Sequence, residues 1–215
     1  MALQSTYHNT EGWSLAKILS IVFHPLWMPM LIYMLTRWLD PYYVITARAD
    51  RFVLLLLTVN IIAPAVSMLV MIRYGMLSSI ELKNRNERLG PYLITIFYYL
   101  VSYFMLRWFA PELPRETFSF VLAIICSLVF SLTVNLFWKI SVHMLAQGGV
   151  FGTLLALQRL HHAEVTLVAM FCVLMSGLTG YSRVKLEAHT PGQVYAGFFL
   201  GLVVNYLAIS NRIMI

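Results

Sequence analysis

Residues 52–72, FVLLLLTVNIIAPAVSMLVMI, run for 21 positions without one charged side chain. A helix needs about 20 predominantly apolar residues to cross the hydrocarbon core of a bilayer. Comparable runs lie at 17–36, 91–110, 117–138, 165–181 and 193–210, with a shorter, glycine-containing one at 144–158. Only 11% of the 215 residues are charged against 60% hydrophobic. An ordinary soluble domain has roughly a quarter charged residues, so too few polar side chains are present to cover a globular surface. The runs are long and continuously apolar rather than alternating every second residue, which excludes a membrane barrel. The expected fold is all-α: a polytopic membrane helical bundle of six to seven transmembrane helices, with residues 1–215 forming a single membrane domain.

Several features refine this bundle. Pro25 and Pro29 in the first run and Pro64 in the second predict bends, which a membrane helix tolerates when its neighbours re-satisfy the freed carbonyls. Gly148 and Gly152, and again Gly197 and Gly201, have the spacing that lets two helices approach closely. Cys126 and Cys172 fall inside apolar runs and read as small hydrophobes, not as a disulfide or a zinc site. The N-terminal stretch MALQSTYHNTEGWSLAK lacks the basic start and adjoining apolar core of a signal peptide. The first run is therefore expected to stay in the mature protein.

With seven runs, the most polar constellations fall on one membrane face. The loop RYGMLSSIELKNRNERLGPY carries Lys83, Arg85, Glu87 and Arg88; an even number of spans later come Lys139, Ser141 and His143; two spans further come Ser182, Arg183, Lys185, His189 and Gln193. Any one basic loop is usually just solvated, but three converging cationic clusters with two histidines match the needs of a phosphate. Arginine binds phosphate through a planar fork and lysine as a point charge, and helix N-termini add unpaired N–H groups. Ser141 is positioned to cap the 144–158 helix, and Thr190-Pro191 reads as the N-cap and first residue of the last one. One histidine can then attack phosphorus while the other, as imidazolium, protonates the departing oxygen. This scheme requires no metal and no cofactor.

At these residues the chain resembles the type 2 phosphatidic acid phosphatase superfamily, integral-membrane lipid phosphatases whose helical core is shared with vanadium haloperoxidases. The closest correspondence is Ser182-Arg183, five residues, then His189, the family's third motif up to its final acidic position, where this chain has Gln193. The resemblance implies that Arg183 and Ser182 bind phosphate, that His189 is the nucleophile and that Gln193 orients its other ring nitrogen. A glutamine carbonyl accepts that N–H but does not stabilise imidazolium as a carboxylate does. Ile140-Ser141-Val142-His143 parallels the second motif, Pro-Ser-Gly-His, making His143 the general acid and Ser141 a phosphate ligand. Valine there replaces the glycine that permits close backbone approach. The first motif is not matched literally; Lys83 and Arg88 are the equivalents, with Arg85 a substitute. Lys139 as extra positive charge is a reading of this chain alone. The resemblance covers residues 83–205, within which 91–138 reads as an added transmembrane hairpin that preserves the sidedness of the motifs.

The expected function is hydrolysis of a lipid phosphate monoester or diphosphate through a phosphohistidine; the resemblance implies substrates such as prenyl diphosphates, phosphatidylglycerol phosphate or phosphatidic acid. The partners are then this lipid substrate and the surrounding membrane lipids, with no nucleic acid. Gln193 and Val142 support a second reading, a non-catalytic phospholipid-binding or transport protein that keeps a phosphate pocket. Asn60, Asn135 and His24 are the intramembrane polar groups available to line a pathway, although interhelical hydrogen bonding is their commoner use. Asp40 and Asp50 are the only aspartates in the chain, which argues against aspartate-rich diphosphate–magnesium motifs and against a metal-dependent phosphatase. His161, His162 and Glu164 read as a solvated turn. Eight Lys and Arg lie on the motif face and seven on the other. Setting aside Lys83, Arg88, Lys139 and Arg183 as phosphate ligands leaves four against seven, so the positive-inside rule turns the motif face outward, toward the periplasm of a bacterial inner membrane.

Overall fold

The computed structural model describes residues 14–40, 45–80, 82 and 84–215; Lys83 and most of the N-terminal stretch read for a signal peptide lie outside them. The described residues form eight α-helices and one 3-10 turn, and no strand. In chain order these are α1 (Leu15–Val22), α2 (Met28–Leu39), α3 (Ala47–Arg73), the 3-10 turn Arg85–Arg88 leading into α4 (Leu89–Phe109), α5 (Arg115–Asn135), α6 (Val142–His161), α7 (Thr166–Lys185) and α8 (Pro191–Ser210). Each expected apolar run is mostly helical, the first in two pieces. Among the described residues, five segments are long and apolar enough to cross a membrane: Ala47–Arg73, Arg85–Phe109, Arg115–Asn135, Thr166–Lys185 and Pro191–Ser210.

That count is lower than the six to seven expected, for two physical reasons. The first run is not one helix: it divides into α1 and α2 across Phe23–Trp27, where Pro25 has no N–H to continue the ladder. The run at 144–158 does become a 20-residue helix, α6, but Gln147, Gly148, Gly149, Gly152 and Thr153 dilute its apolarity. Those residues suit a helix enclosed by other helices. α6 packs against α2, α5, α7 and, most extensively, α8.

The α6–α8 seam rests on the four glycines. A Cβ at Gly148 would lie 1.9 Å from the Phe198 carbonyl oxygen, and one at Gly201 would lie 2.0 Å from that of Leu145. A Cβ at Gly152 would lie 2.4 Å from the Leu202 carbonyl oxygen, and one at Gly197 2.5 Å from that of Ser141. The two backbones therefore touch, as the spacing predicts. The paired numbers rise together along both helices, so α6 and α8 run parallel and start at the same end of the bundle. Both N-terminal dipoles thus point at one place.

Large apolar side chains cover the outside: Leu55, Ile62 and Leu69 on α3, Phe97 and Phe104 on α4, Leu167 and Phe171 on α7, Tyr195 and Phe199 on α8. The polar groups turn inward and bridge helices. Asn60 donates from Nδ2 to Ser102 Oγ at 2.7 Å, joining α3 to α4, and Asn205 donates to Ser127 Oγ at 3.1 Å, joining α8 to α5. Asn135 donates to the Arg85 carbonyl. Asn60 and Asn135 thus each make a hydrogen bond between segments.

Candidate functional site

Between the helices lies a cavity of about 210 Å³ whose lining changes character along its length. At one end stand His24, Arg88, His143, Arg183 and His189; deeper in, Met28, Ile32, Phe120, Ile124, Leu128 and Val150 make a mainly apolar wall that also includes Ser127 and Asn205. No carboxylate occurs among the described lining residues. The polar end is where α4, α6 and α8 begin and α7 ends.

The approach of His189 to Arg183 follows from how α7 stops. The Arg183 carbonyl accepts the N–H groups of both Ala188 and His189, at 3.1 and 3.2 Å, and Glu187 takes a left-handed conformation with φ 51°. The chain thereby folds back over the last turn of α7 before Thr190 caps α8. Pro191 occupies the first turn, and Thr190 and Gln193 form a reciprocal capping box.

Gln193 has a further contact in this cap. Its Oε1 accepts the Thr190 backbone N–H at 3.3 Å and lies 3.0 Å from His189 Nδ1. A backbone N–H only donates, so the atom it meets is the amide carbonyl oxygen. Nδ1 of His189 must then carry the hydrogen, which leaves the lone pair of the neutral ring on Nε2. Gln193 thus orients the ring and fixes its tautomer. His189 is pushed down to about 3, first by burial and then by the charges of Arg88, Arg183 and Lys139, against the opposing effect of the Gln193 bond.

His143, in the first turn of α6, lies 3.1 Å through Nε2 from the Ser20 carbonyl oxygen. A carbonyl only accepts, so the hydrogen is on Nε2 and the lone pair on Nδ1. Arg88 is held by two backbone carbonyls, donating from Nε to Leu82 and from Nη1 to Ile140, at 3.0 and 3.1 Å. Only 6% of Arg88 is exposed, and the two carbonyls fix its guanidinium in the cavity wall. Lys139 stands at the rim; burial, then Arg88 and Arg183, lower its ammonium pKa.

Of the residues singled out in the sequence, the structure gathers Arg88, His143, Arg183 and His189 at one cavity end, with Gln193 behind His189 and Lys139 beside them. Ser182 and Ser141 do not reach it. The Ser182 hydroxyl is buried and donates to the Leu178 carbonyl one turn back. Ser141 sits at the N-cap position of α6 but makes no side-chain cap bond; its buried hydroxyl has no hydrogen-bond partner, and its backbone N–H donates to the Gln193 carbonyl. Arg85 turns away and donates to the Phe137 carbonyl, so it does not substitute in the cluster. Val142, at the glycine position of the second motif, lines the cavity. His24 also lines it; the sequence signal was a histidine–proline pair inside an apolar run.

No group of three or more His, Cys, Asp or Glu side chains suited to a metal ion occurs among the described residues. No protein-family model, no curated protein and no solved structure matches the chain.

Proposed function

We propose that this membrane protein is a lipid phosphatase of the type 2 phosphatidic acid phosphatase kind, acting on the phosphate monoester or diphosphate of a membrane lipid through a phosphohistidine. The observation that supports this reading is the juxtaposition of a histidine whose free lone pair is fixed on Nε2 with two cavity-lining arginines, above an apolar space suited to a lipid tail. Arg88 and Arg183 hold the phosphoryl oxygens and the tail occupies the lower cavity. His189 Nε2 attacks phosphorus; the P–O bond to the lipid breaks, and its electron pair leaves on the lipid oxygen, which takes the Nδ1 proton of His143 as imidazolium. Water then attacks the phosphohistidine and gives its proton to His143 Nδ1, and the P–N pair returns to His189. The products are inorganic phosphate and a lipid alcohol, or a lipid monophosphate from a diphosphate. The polar end faces outward by the positive-inside count.

The test is phosphate release by detergent-purified protein from undecaprenyl diphosphate, phosphatidylglycerol phosphate and phosphatidic acid, with chelator present. Release that survives chelation and disappears in His189→Ala, while that variant still binds lipid, is the expected result. No release from any of the three lipids favours the non-catalytic binding or transport reading, and full activity of His189→Ala overturns the nucleophile assignment.

A further inference from the structure

The break between α1 and α2 does more than interrupt a span. In a continuous helix the Ser20 carbonyl would accept the N–H of His24. Pro25 offers no N–H to Ile21, so the helix tightens, and His24 N–H goes to Ile21 O instead, at 3.2 Å. Ser20 O is thereby released from the helix, and it accepts the Nε2–H of His143. The same break carries His24 to the cavity wall. Trp27 closes it by donating its indole N–H to the Val22 carbonyl at 2.7 Å.

The ring of His24 is also fixed. The Leu26 backbone N–H donates to its Nδ1 at 3.3 Å, so the neutral ring carries its hydrogen on Nε2. The ring stands edge-on to that of His143, with centroids 5.2 Å apart and planes at 82°. Nδ1 is held by the backbone, which leaves the Nε2–H as the group available to a ligand. Around it the described cavity wall supplies arginines and histidines but no carboxylate.

We infer that His24 is a third histidine of the head-group site, donating from Nε2 to a non-bridging oxygen of the bound phosphate and holding it between Arg183 and His189. This rests on the phosphate-site reading above and adds a ligand that none of the three motifs contains. The α1–α2 break is then a device that sets two histidines at once: it places His24 and it supplies the acceptor that orients His143.

Two substitutions separate a binding role from a structural one. His24→Asn keeps an acceptor where Nδ1 meets Leu26 N–H but withdraws the donor from the Nε2 position. His24→Gln places an N–H near the Nε2 position but gives up the Nδ1 acceptor. The probe is a single-chain alkyl phosphonate, with equilibrium affinity and the kcat and KM of phosphate release as readouts and thermal unfolding as the control. His24→Asn is expected to weaken phosphonate affinity and kcat/KM about 10- to 100-fold at an unchanged unfolding temperature, as for loss of one hydrogen bond to a charged group. His24→Gln is expected to retain most of both. The opposite order, Gln impaired and Asn intact, or no effect of either, overturns the inference. Arg183→Ala distinguishes the two levels of the argument: if it weakens phosphonate binding while the His24 variants do not, only the His24 assignment fails. If Arg183→Ala has no effect either, the phosphate-site reading fails with it.

Discussion

The two ends of the bundle differ in which described groups surround their charges. At the cavity end, Arg88 and Arg183 line a space without a carboxylate among its described residues, and Lys139 adds to the excess. At the far end several described charges meet one another. Asp40, after α2, pairs with His161 at the end of α6; Glu116, in the first turn of α5, faces His161 at 3.7 Å and pairs with Arg212 of the C-terminal tail. Nearby, Arg37 pairs with Asp50 at 3.0 Å, and Tyr33 donates to the same carboxylate. Buried charge is tolerated only when a counter-charge is supplied. The far end supplies it from the chain, joining α2, α5, α6 and the C-terminal tail. Sequence reading placed His161 in a solvated turn, and the structure corrects this: its side chain is only 14% exposed, between two carboxylates.

Exchanging one arginine at each end gives the largest contrast. Arg183→Ala is expected to lower phosphate release by about a thousandfold or more, the scale seen when an arginine that stabilises a phosphoryl transition state is removed. Unfolding curves taken in parallel separate this loss from any change in stability. Arg212→Ala should leave turnover within about twofold. Equal losses at both ends, in a release assay on matched folded fractions, would break the comparison.

Stability should show the reverse. The Asp40 side chain is fully buried and pairs with His161, so Asp40→Ala leaves an imidazole in a dry site with one partner fewer. The expected loss is about 2 kcal/mol, as for a buried polar group left one hydrogen-bond partner short, read from detergent unfolding curves. Turnover of the folded fraction should persist. A variant that unfolds normally and fails to turn over would make the far end part of the reaction site.

Much of this was legible in the sequence because the signals were local. Continuous apolar runs mark helices whatever surrounds them, and the Gly148/Gly152 and Gly197/Gly201 spacings marked a seam that is in fact backbone against backbone. The gathering of Arg88, His143, Arg183 and His189 followed from counting crossings, a topological argument that survives the split of the first run. What failed depends on tertiary detail. Whether the Ser182 hydroxyl faces a ligand or the carbonyl one turn back is a rotamer choice, and both are compatible with the motif. His161 lies among residues that a one-dimensional reading sees as a polar turn, because its partners Asp40 and Glu116 are distant in sequence. His24 was visible only as a polar residue beside a proline; its importance depends on where the break carries it.

Gln193 sharpens the comparison at the cavity end, since it is the one place where a carboxylate is expected by resemblance and absent. Aspartate is a carbon shorter than glutamine, whereas Gln193→Glu is nearly isosteric and keeps the contacts to His189 Nδ1 and Thr190 N–H within reach. It also places negative charge near the start of α8, which the helix dipole favours. A carboxylate at about 3 Å should raise the His189 pKa by at least about one unit from its value near 3, as followed by the ring's NMR titration. If stabilising the imidazolium limits the rate, phosphate release should rise. A pKa that rises with no gain in rate would mean that orientation of the ring, already supplied by Gln193, is all the position contributes.

The smallest effect is a pH dependence of stability with a definite sign. His189 is held down to about 3 in the folded protein, whereas an unfolded histidine titrates near 6.5. Between these values the unfolded chain binds a proton that the folded site refuses, so folding weakens as pH falls. The stability associated with neutral His189 is fully present above pH 6.5 and is lost progressively down to about 3. Its contribution to the slope is at most about 1.4 kcal/mol per pH unit, and comparing unfolding curves of wild type and His189→Gln across that window isolates it from the other acid-sensitive groups. Inorganic phosphate should flatten this slope. An anion seated between Arg88 and Arg183 offsets the cationic repulsion that helps hold His189 neutral, raising its folded pKa toward the unfolded value and narrowing the window. A slope unaffected by saturating phosphate would mean that phosphate does not seat beside His189.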